Sequence, residues 1–482
     1  MECVIRDDAY KTVTRSLHSK RTKIMKKNTG KPKSLFLNNK NICMATDLYQ
    51  LTMVAGYFER GINHKSTFEL FVRNLSEKRS YLIAAGLEQA IYYLRNLRFT
   101  AEYLKYIKCL PAFKNVSRAF FDYLRDFRFC GDVYAVPEGT IVFANEPIIR
   151  VTASMIEAQI IETYLLSMIN YQTLIASKAS RVVHAADGRE VIDFGTRRAH
   201  GPQAGVLAAR ACYIGGCVGT SNVLAAKELG ITPIGTIAHS WVMAYDDEYK
   251  SFQDFHKVFS DNTILLIDTY DTIKGAKLAT RIGKKLKGVR LDSGNITLLS
   301  KRVRMILDAA GLEHVKITAS GDLNEYKISQ MLTEGACVDS FGVGTEMVTS
   351  KDMPALGGVY KLVEQEKEGR LMPKMKFSKE KETCPSKKQV YRFINKNGLY
   401  KKDIIGLVDE EFDANELLLP VMKKGKLVCK VPSVQQIQKT AAGNISQLPE
   451  KFKDLSSKTE YPVTISKRLK QVRDKAKKGR DW

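Results

Sequence analysis

One device recurs seven times between residues 193 and 345: a short apolar run closes on a small polar tip and gives way to a helix-like stretch. The tips read DFGTRR (193–198), GTSN (219–222), TIAHS (236–240), LIDTYD (266–271), GVRLDSGN (288–295), TASGD (318–322) and SFGVGT (340–345). Their spacing is that of a strand, a loop and a helix of three or four turns. A β/α barrel places the C-terminal ends of its strands, and the loops after them, around its active site. Polar residues gathered at those ends therefore read as chemistry rather than packing.

At 482 residues the chain exceeds the size at which one core stops growing, so two compact units plus tails are expected. The expected fold class is α/β: an irregular TIM-like β/α barrel over 151–355, with a second α+β domain built from 41–150 and from the segment 356–450 after the barrel. Leu48, Leu51, Thr52, Ala55 and Phe58 recur at helical spacing before Gly61, and STFELFVR alternates as a strand. The stretch 151–179 reads as a helix or helix pair. Residues 1–40 and 451–482 read as basic tails, the first disordered, with 466–478 exposed or loosely docked.

The net charge of +24 is concentrated at the ends, with +8 on residues 1–44 and +7 on 451–482, leaving +9 for the core. Solvated basic tails explain such ends better than a nucleic-acid site, and a basic core suits a polyanionic substrate. Nine cysteines without a CxxC pair fit reduced thiols in a cytoplasmic protein, not a disulfide or zinc framework. No apolar run reaches the roughly 18 residues that span a bilayer. Neither a membrane nor a nucleic-acid partner is expected.

Arg197 and Arg198 share the first tip, where guanidinium forks can grip carboxylate or phosphate; a surface pair bonded to acidic neighbours is the alternative. Arg290 and Asp292 alternate, so both face one side of a strand, either with the Arg gripping a phosphate while the Asp accepts from ribose hydroxyls or a metal-bound water, or as a structural ion pair. Asp322, after Ser320 and Gly321, repeats the motif one strand later. Gly342, Gly344 and Thr345 form a tip whose missing side chains let a phosphate approach backbone N–H groups. His239 ends the third tip as a candidate base or phosphoryl-carrying nucleophile, facing carboxylates such as Asp268. Asp47 and Tyr49 read as helix-start residues, and Phe194 as core or as a ring stacked on a heterocycle.

The words TDLYQLTM, FELFVRNL, DFGTRRAHGPQAG, GTSNVLAA, GTIAHSW, LIDTYDT, GVRLDSGN, ASGDLNEY and FGVGT, in this order, resemble those of the nicotinate phosphoribosyltransferase family. The segment KETCPSKKQVYR is similar to the family's KxTxPGKKQVYR, with Ser386 where glycine is usual. The resemblance implies an enzyme of NAD biosynthesis that joins nicotinate to 5-phosphoribosyl 1-diphosphate (PRPP), releasing nicotinate mononucleotide and diphosphate. It implies ATP as co-substrate through a phosphorylated His239, Mg²⁺ as cofactor, and a homodimer with shared active sites.

By the same resemblance Phe194 stacks on the pyridine ring, and Arg197 and Arg198 bind anionic groups. Arg290 and Asp292 hold phosphoribosyl groups, while Ser320, Gly321 and Asp322 approach the ribose. Gly342, Gly344 and Thr345 receive the 5-phosphate, and Asp47 and Tyr49 come from the neighbouring subunit. Asp268 is the expected partner of His239; no metal ligands are assigned. Ser221 stands where the related nicotinamide enzymes carry an aspartate, which favours an acidic base as substrate. The alternatives are a nicotinamide or quinolinate phosphoribosyltransferase, or a basic nucleic-acid-binding protein with an inactive barrel.

Overall fold

Six of the seven tips terminate strands of a single parallel sheet. The strands lie in the order Gly219–Thr220, Glu190–Asp193, Ser340–Val343, Lys316–Ala319, Leu286–Leu291 and Thr263–Leu266, and the sheet curls into a half-barrel. The computed structural model describes residues 35–378 and 381–478. Helices cover both faces of a parallel sheet, so its strands read as continuous apolar runs rather than alternating ones. Leu265, Leu266, Val289, Leu291, Ile317, Ala319, Phe341 and Val343 are all fully buried.

The third tip has no strand of its own. Among the described residues, the backbone of its approach pairs with the sheet through a bridge from Pro233 to Thr220 and two hydrogen bonds, Thr220 N to Thr232 O (3.1 Å) and Ile234 N to Thr220 O (2.9 Å). Proline lacks the N–H a ladder needs, and Gly235 beyond it packs nothing. TIAHS is consequently a loop leading into the short helix His239–Met243.

Part of the polarity of the tips is capping. Asn222, Asp271, Asn295 and Asn324 each accept a backbone N–H at the start of the helices Val223–Leu229, Thr272–Thr280, Ile296–Ala309 and Glu325–Thr333. These side chains satisfy orphan donors of the first turn, so they launch each helix away from the strand end.

Strands before and after the half-barrel share an antiparallel sheet. Lys65–Val72 pairs with Gly358–Lys367 on one edge and with Pro147–Ser154 on the other, and Asp132–Ala135 pairs with Leu419–Lys423. The stretch 151–179 is not helical throughout: the strand Pro147–Ser154 runs into it before a capping box on Ser154 starts the helix Met155–Ile160. The helix Glu162–Ala185 follows and buries Leu165, Ile169 and Val182. It also carries a buried ionic cluster, in which Lys178 Nζ lies 2.6 Å from Glu325 and 2.8 Å from Asp352. Residues 39–378 and 381–478 form one compact unit.

Residues 451–478 do not behave as a tail, although their charge suggested one. Val463–Ile465 adds a parallel strand to Tyr400–Leu407, and the helix Lys467–Lys478 seats Leu469 at 0% exposure. Ser466 Oγ donates to Glu410 at 2.6 Å and Arg468 pairs with Asp409 at 2.8 Å. The outward face is basic while the inward face is apolar, which total charge cannot reveal. The expected tail over 1–40 lies outside the described residues, apart from 35–40.

Candidate active site

The first two tips are tied together by Asp193, the last residue of its strand. Its Oδ1 accepts from Gly195 N at 2.8 Å and its Oδ2 from Thr220 Oγ1 at 2.7 Å. Thr220 Oγ1 in turn accepts from Asn222 N at 3.0 Å, and Ser221 N donates to Asp193 O at 2.8 Å. Burial pushes the Asp193 carboxyl above its ordinary range, against the pull of those two donors. This brace holds the backbone of Ser221, which is exposed at the second tip. Sequence reasoning passed over Asp193 and Thr220, whose positions inside the first two tips were the available signal.

Phe194 is held by Phe194 N to Val343 O at 2.9 Å, and its ring lies on Gly342. A Cβ at residue 342 would come within 2.4 Å of that ring. The missing side chain of Gly342 thus leaves room for the aromatic ring. Gly344 and Thr345 remain at the tip, half-buried, at the start of the four-residue helix Thr345–Val348. Arg197 and Arg198 are exposed on the turn Thr196–Arg198, and neither makes an ion pair among the described residues.

Across the rim, Arg290 and Asp292 do share a face, with Nη2 3.6 Å from Oδ1. Arg290 Nη1 donates to Thr236 Oγ1 at 2.6 Å, whereas its buried Nε has no partner. Burial draws the guanidinium below its ordinary value, and nearby Arg197 adds to the fall against Asp292 and Asp268. An anion arriving here would relieve both effects. Ser320 Oγ donates to Asp292 Oδ1. Gly321 has φ +96°, and a Cβ there would strike Asp292 O at 2.1 Å, so the close approach of these two tips requires glycine. Asp322, at φ +46°, presents an exposed carboxylate.

His239 is half-buried between two tips. Its Nδ1 lies 3.1 Å from Thr269 Oγ1 and its Nε2 3.8 Å from Asp292 Oδ2. The expected partner, Asp268, is not the one found. Asp268 Oδ2 accepts from Asp292 N at 2.8 Å and from Ser293 Oγ at 2.7 Å, leaving Oδ1 buried and unpartnered. Asp268 stands at the end of its strand, level with the neighbouring tip rather than with the loop of His239, so it braces Asp292. Thr269, Thr236 and Ser293 are the polar residues that pattern reading missed.

Asp47 and Tyr49 lie away from this rim. Asp47 is the N-cap residue of the helix Leu48–Glu59, yet its carboxylate accepts from Thr163 Oγ1 at 2.8 Å instead of capping. Leu48 and Tyr49 are about half exposed, at 53% and 48%. A separate cleft of about 630 Å³ runs between Arg73, Phe143, Lys388 and Tyr461, and no strand tip of the parallel sheet lines it. Among the described residues no helix is long and apolar enough to cross a membrane, and no cluster of three metal-type side chains occurs.

Comparisons with known proteins cover nearly the whole chain. Three family models match in order: the nicotinate phosphoribosyltransferase N-terminal domain over 44–170, the nicotinate phosphoribosyltransferase family over 190–412, and the C-terminal domain over 410–473. A nicotinate phosphoribosyltransferase of Mycobacterium tuberculosis is 42% identical over 432 residues, covering 88% of this chain and 91% of that protein. That of Bacillus subtilis is 41% identical over 460 residues, covering 88% and 93%. The crystal structure of human nicotinic acid phosphoribosyltransferase superposes with a TM-score of 0.78 at 26% identity, covering 89% of this chain and 99% of that one. With the strand tips, the Phe194 ring and the histidine in place along a matching chain, this protein belongs to the nicotinate phosphoribosyltransferase family.

Proposed function

We propose that the chain transfers the 5-phosphoribosyl group of PRPP to nicotinate and couples this to ATP hydrolysis through a phosphoryl group on His239. Family membership makes it a nicotinate phosphoribosyltransferase of pyridine-nucleotide and NAD biosynthesis. The coupling rests above all on one observation: a half-exposed His239 standing between Thr269 and Asp292, on a rim whose Arg290 Nε is buried without a partner.

Breaking the bond from ribose C1 to diphosphate builds positive charge on the sugar and negative charge on the leaving group. A rim with both carboxylates and guanidinium groups serves both ends of that bond. In this reading Asp292 and Asp322 face the sugar, and Ser320 and Gly321 shape the floor under the ribose. Arg290 and Arg198 take phosphate oxygens, while Gly344 and Thr345 receive the 5-phosphate. Phe194 stacks on the pyridine ring, Arg197 faces the nicotinate carboxylate, and Ser221 tolerates it. Water exclusion comes from the base itself, seated against the ring of Phe194.

Mg²⁺ fits the donor set. Asp268 Oδ1 is buried without a partner and Asp292 is half-exposed nearby, a pair of hard oxygen donors suited to a cation that keeps most of its waters. Bound there, the ion would neutralise charge on the diphosphate. Asp268 otherwise acts by holding Asp292 N and Ser293 Oγ.

The parallel sheet is read as one wall of an irregular TIM-like barrel closed by the loop 233–238. The protein is read as a cytoplasmic homodimer. The exposed Leu48 and Tyr49 support that reading, since Asp47 and Tyr49 would then complete the site of the neighbouring subunit.

The test is one assay on the full chain: nicotinate and PRPP, with and without ATP, following mononucleotide formation and acid-labile phosphate on the protein. Turnover stimulated by ATP, with phosphate on the wild type and none on His239→Ala, is expected. ATP lowering the Michaelis constants of His239→Ala as in wild type would rule out the phosphohistidine.

A further inference from the structure

The buried ionic cluster on the helix Glu162–Ala185 sets three cations, Arg79, Lys178 and Arg181, against two carboxylates, Glu325 and Asp352. Of those carboxylates Arg79 pairs with Asp352 and Arg181 with Glu325, whereas Lys178 Nζ meets both, at 2.8 Å and 2.6 Å. Each carboxylate belongs to a different strand tip. Glu325 opens the helix after the sixth tip, and Lys327 Nζ in the same turn donates to Asp322 O at 2.8 Å. Asp352 lies in the loop after the seventh tip, where Arg79 also donates to Ser350 Oγ and Ser350 N donates to Met347 O, within the helix that starts at Thr345. Asp322 and Ser350 both adopt the left-handed region, at φ +46° and +43°. Non-glycine residues persist there where their surroundings hold them. A single ammonium group thus ties together two held turns.

We propose that Lys178 is a positioning residue for the phosphoribosyl donor: by bridging Glu325 and Asp352 it fixes the sixth tip against the seventh, so that Asp322 and the turn at Gly344 and Thr345 meet one phosphoribosyl group. This rests on the assignment of those tips to PRPP above. Lys178 is fully buried and acts through the two carboxylates, not on the substrate. It is also the member that charge balance does not require. Without it, Arg79 still faces Asp352 and Arg181 still faces Glu325, two cations against two anions. No buried charge is left unpaired, and only the link between the tips is lost. The surface for the base is set elsewhere, by the pairing of Glu190–Asp193 with Ser340–Val343 inside the sheet. Loss of the link should therefore fall on the phosphoribosyl donor rather than on nicotinate.

The experiment compares full-length wild type with Lys178→Met, which keeps an unbranched side chain and removes the charge. Steady-state kinetics in both substrates are combined with calorimetric titration of PRPP and Mg²⁺. The Michaelis constant and the Kd for PRPP should rise by about tenfold or more, with the constant for nicotinate moving by less than about twofold, because a small displacement of one tip misplaces the group it holds. Asp352→Asn, which weakens the arm to the seventh tip, should shift the two constants in the same unequal way. The double variant should be no worse than Lys178→Met alone, since both changes break one link. A cluster that only stabilises the fold would lower the melting temperature and leave the ratio of the two Michaelis constants as in wild type. That unchanged ratio, or additive losses in the double variant, overturns the proposal, and Asp352→Asn decides the matter if Lys178→Met does not fold. Wild type that fails to bind PRPP overturns the reading of the rim instead.

Discussion

The ring of Phe194 rests on the bare α-carbon of Gly342, so closely that a Cβ there would stand 2.4 Å from a ring carbon. Two tips that are far apart in sequence thereby build one surface, a flat ring whose height is set by a missing side chain. Gly342→Ala should lift or rotate the ring and raise the Michaelis constant for nicotinate by about tenfold or more, since small misplacements at a reacting site are costly. The constant for PRPP should move much less. Equal effects on both constants would count against a role specific to the base.

Ser221 is exposed at the neighbouring strand tip, its backbone N held by Asp193 O. Ser221→Asp places a carboxylate against the carboxylate of nicotinate, where like charges cost several kcal/mol. The ratio of kcat/KM for nicotinate over nicotinamide should fall by about a hundredfold or more. A ratio unchanged in steady-state assays with both bases would remove Ser221 from the specificity determinants.

Ser386 adopts φ +66°, the left-handed region, at the position where the family's pattern has glycine. A residue bearing Cβ pays about 1 kcal/mol or more there. Ser386→Gly should therefore raise the melting temperature, measured at a fixed scan rate, without altering turnover. A lower melting temperature would mean that the Ser386 side chain contributes more than its backbone costs.

Glu146 is buried against Asp403, and burial first, then that neighbouring carboxylate, raises its acid well above the ordinary carboxylate range. Its Oε2 accepts from Phe143 N at 2.8 Å, and its Oε1 has no partner. A group whose acid is weaker in the folded state favours folding below its unfolded value near 4.5 and loses that advantage as pH rises through the folded value. Glu146→Gln, uncharged throughout, should gain stability relative to wild type as pH rises from about 5 to about 8. Parallel melting curves for the two proteins across that range would show that Glu146 does not titrate as described.

Much of this was legible locally. A strand's end is marked by where its apolar run stops, so six tips were assigned correctly from spacing alone, and the alternation of Arg290 with Asp292 gave their common face. The seventh failed because Pro233 removes a ladder donor, leaving a loop where a strand was expected. Polarity at a tip was also an ambiguous signal. Asn222, Asp271 and Asn295 are caps, while Asp193, four residues before Arg197, is a buried brace.

Sequence by itself determined the parallel strands, their polar ends and the family, because strand period, helix caps and motif words are properties of neighbouring residues. Only the tertiary structure decided which tips touch. The contact of Phe194 with Gly342, the diversion of Asp268 from His239 to Asp292, and the seating of Leu469 beneath a basic helix all join distant segments. Such choices are made by packing between strands and by which donor comes within hydrogen-bond reach, and neither is encoded in local spacing.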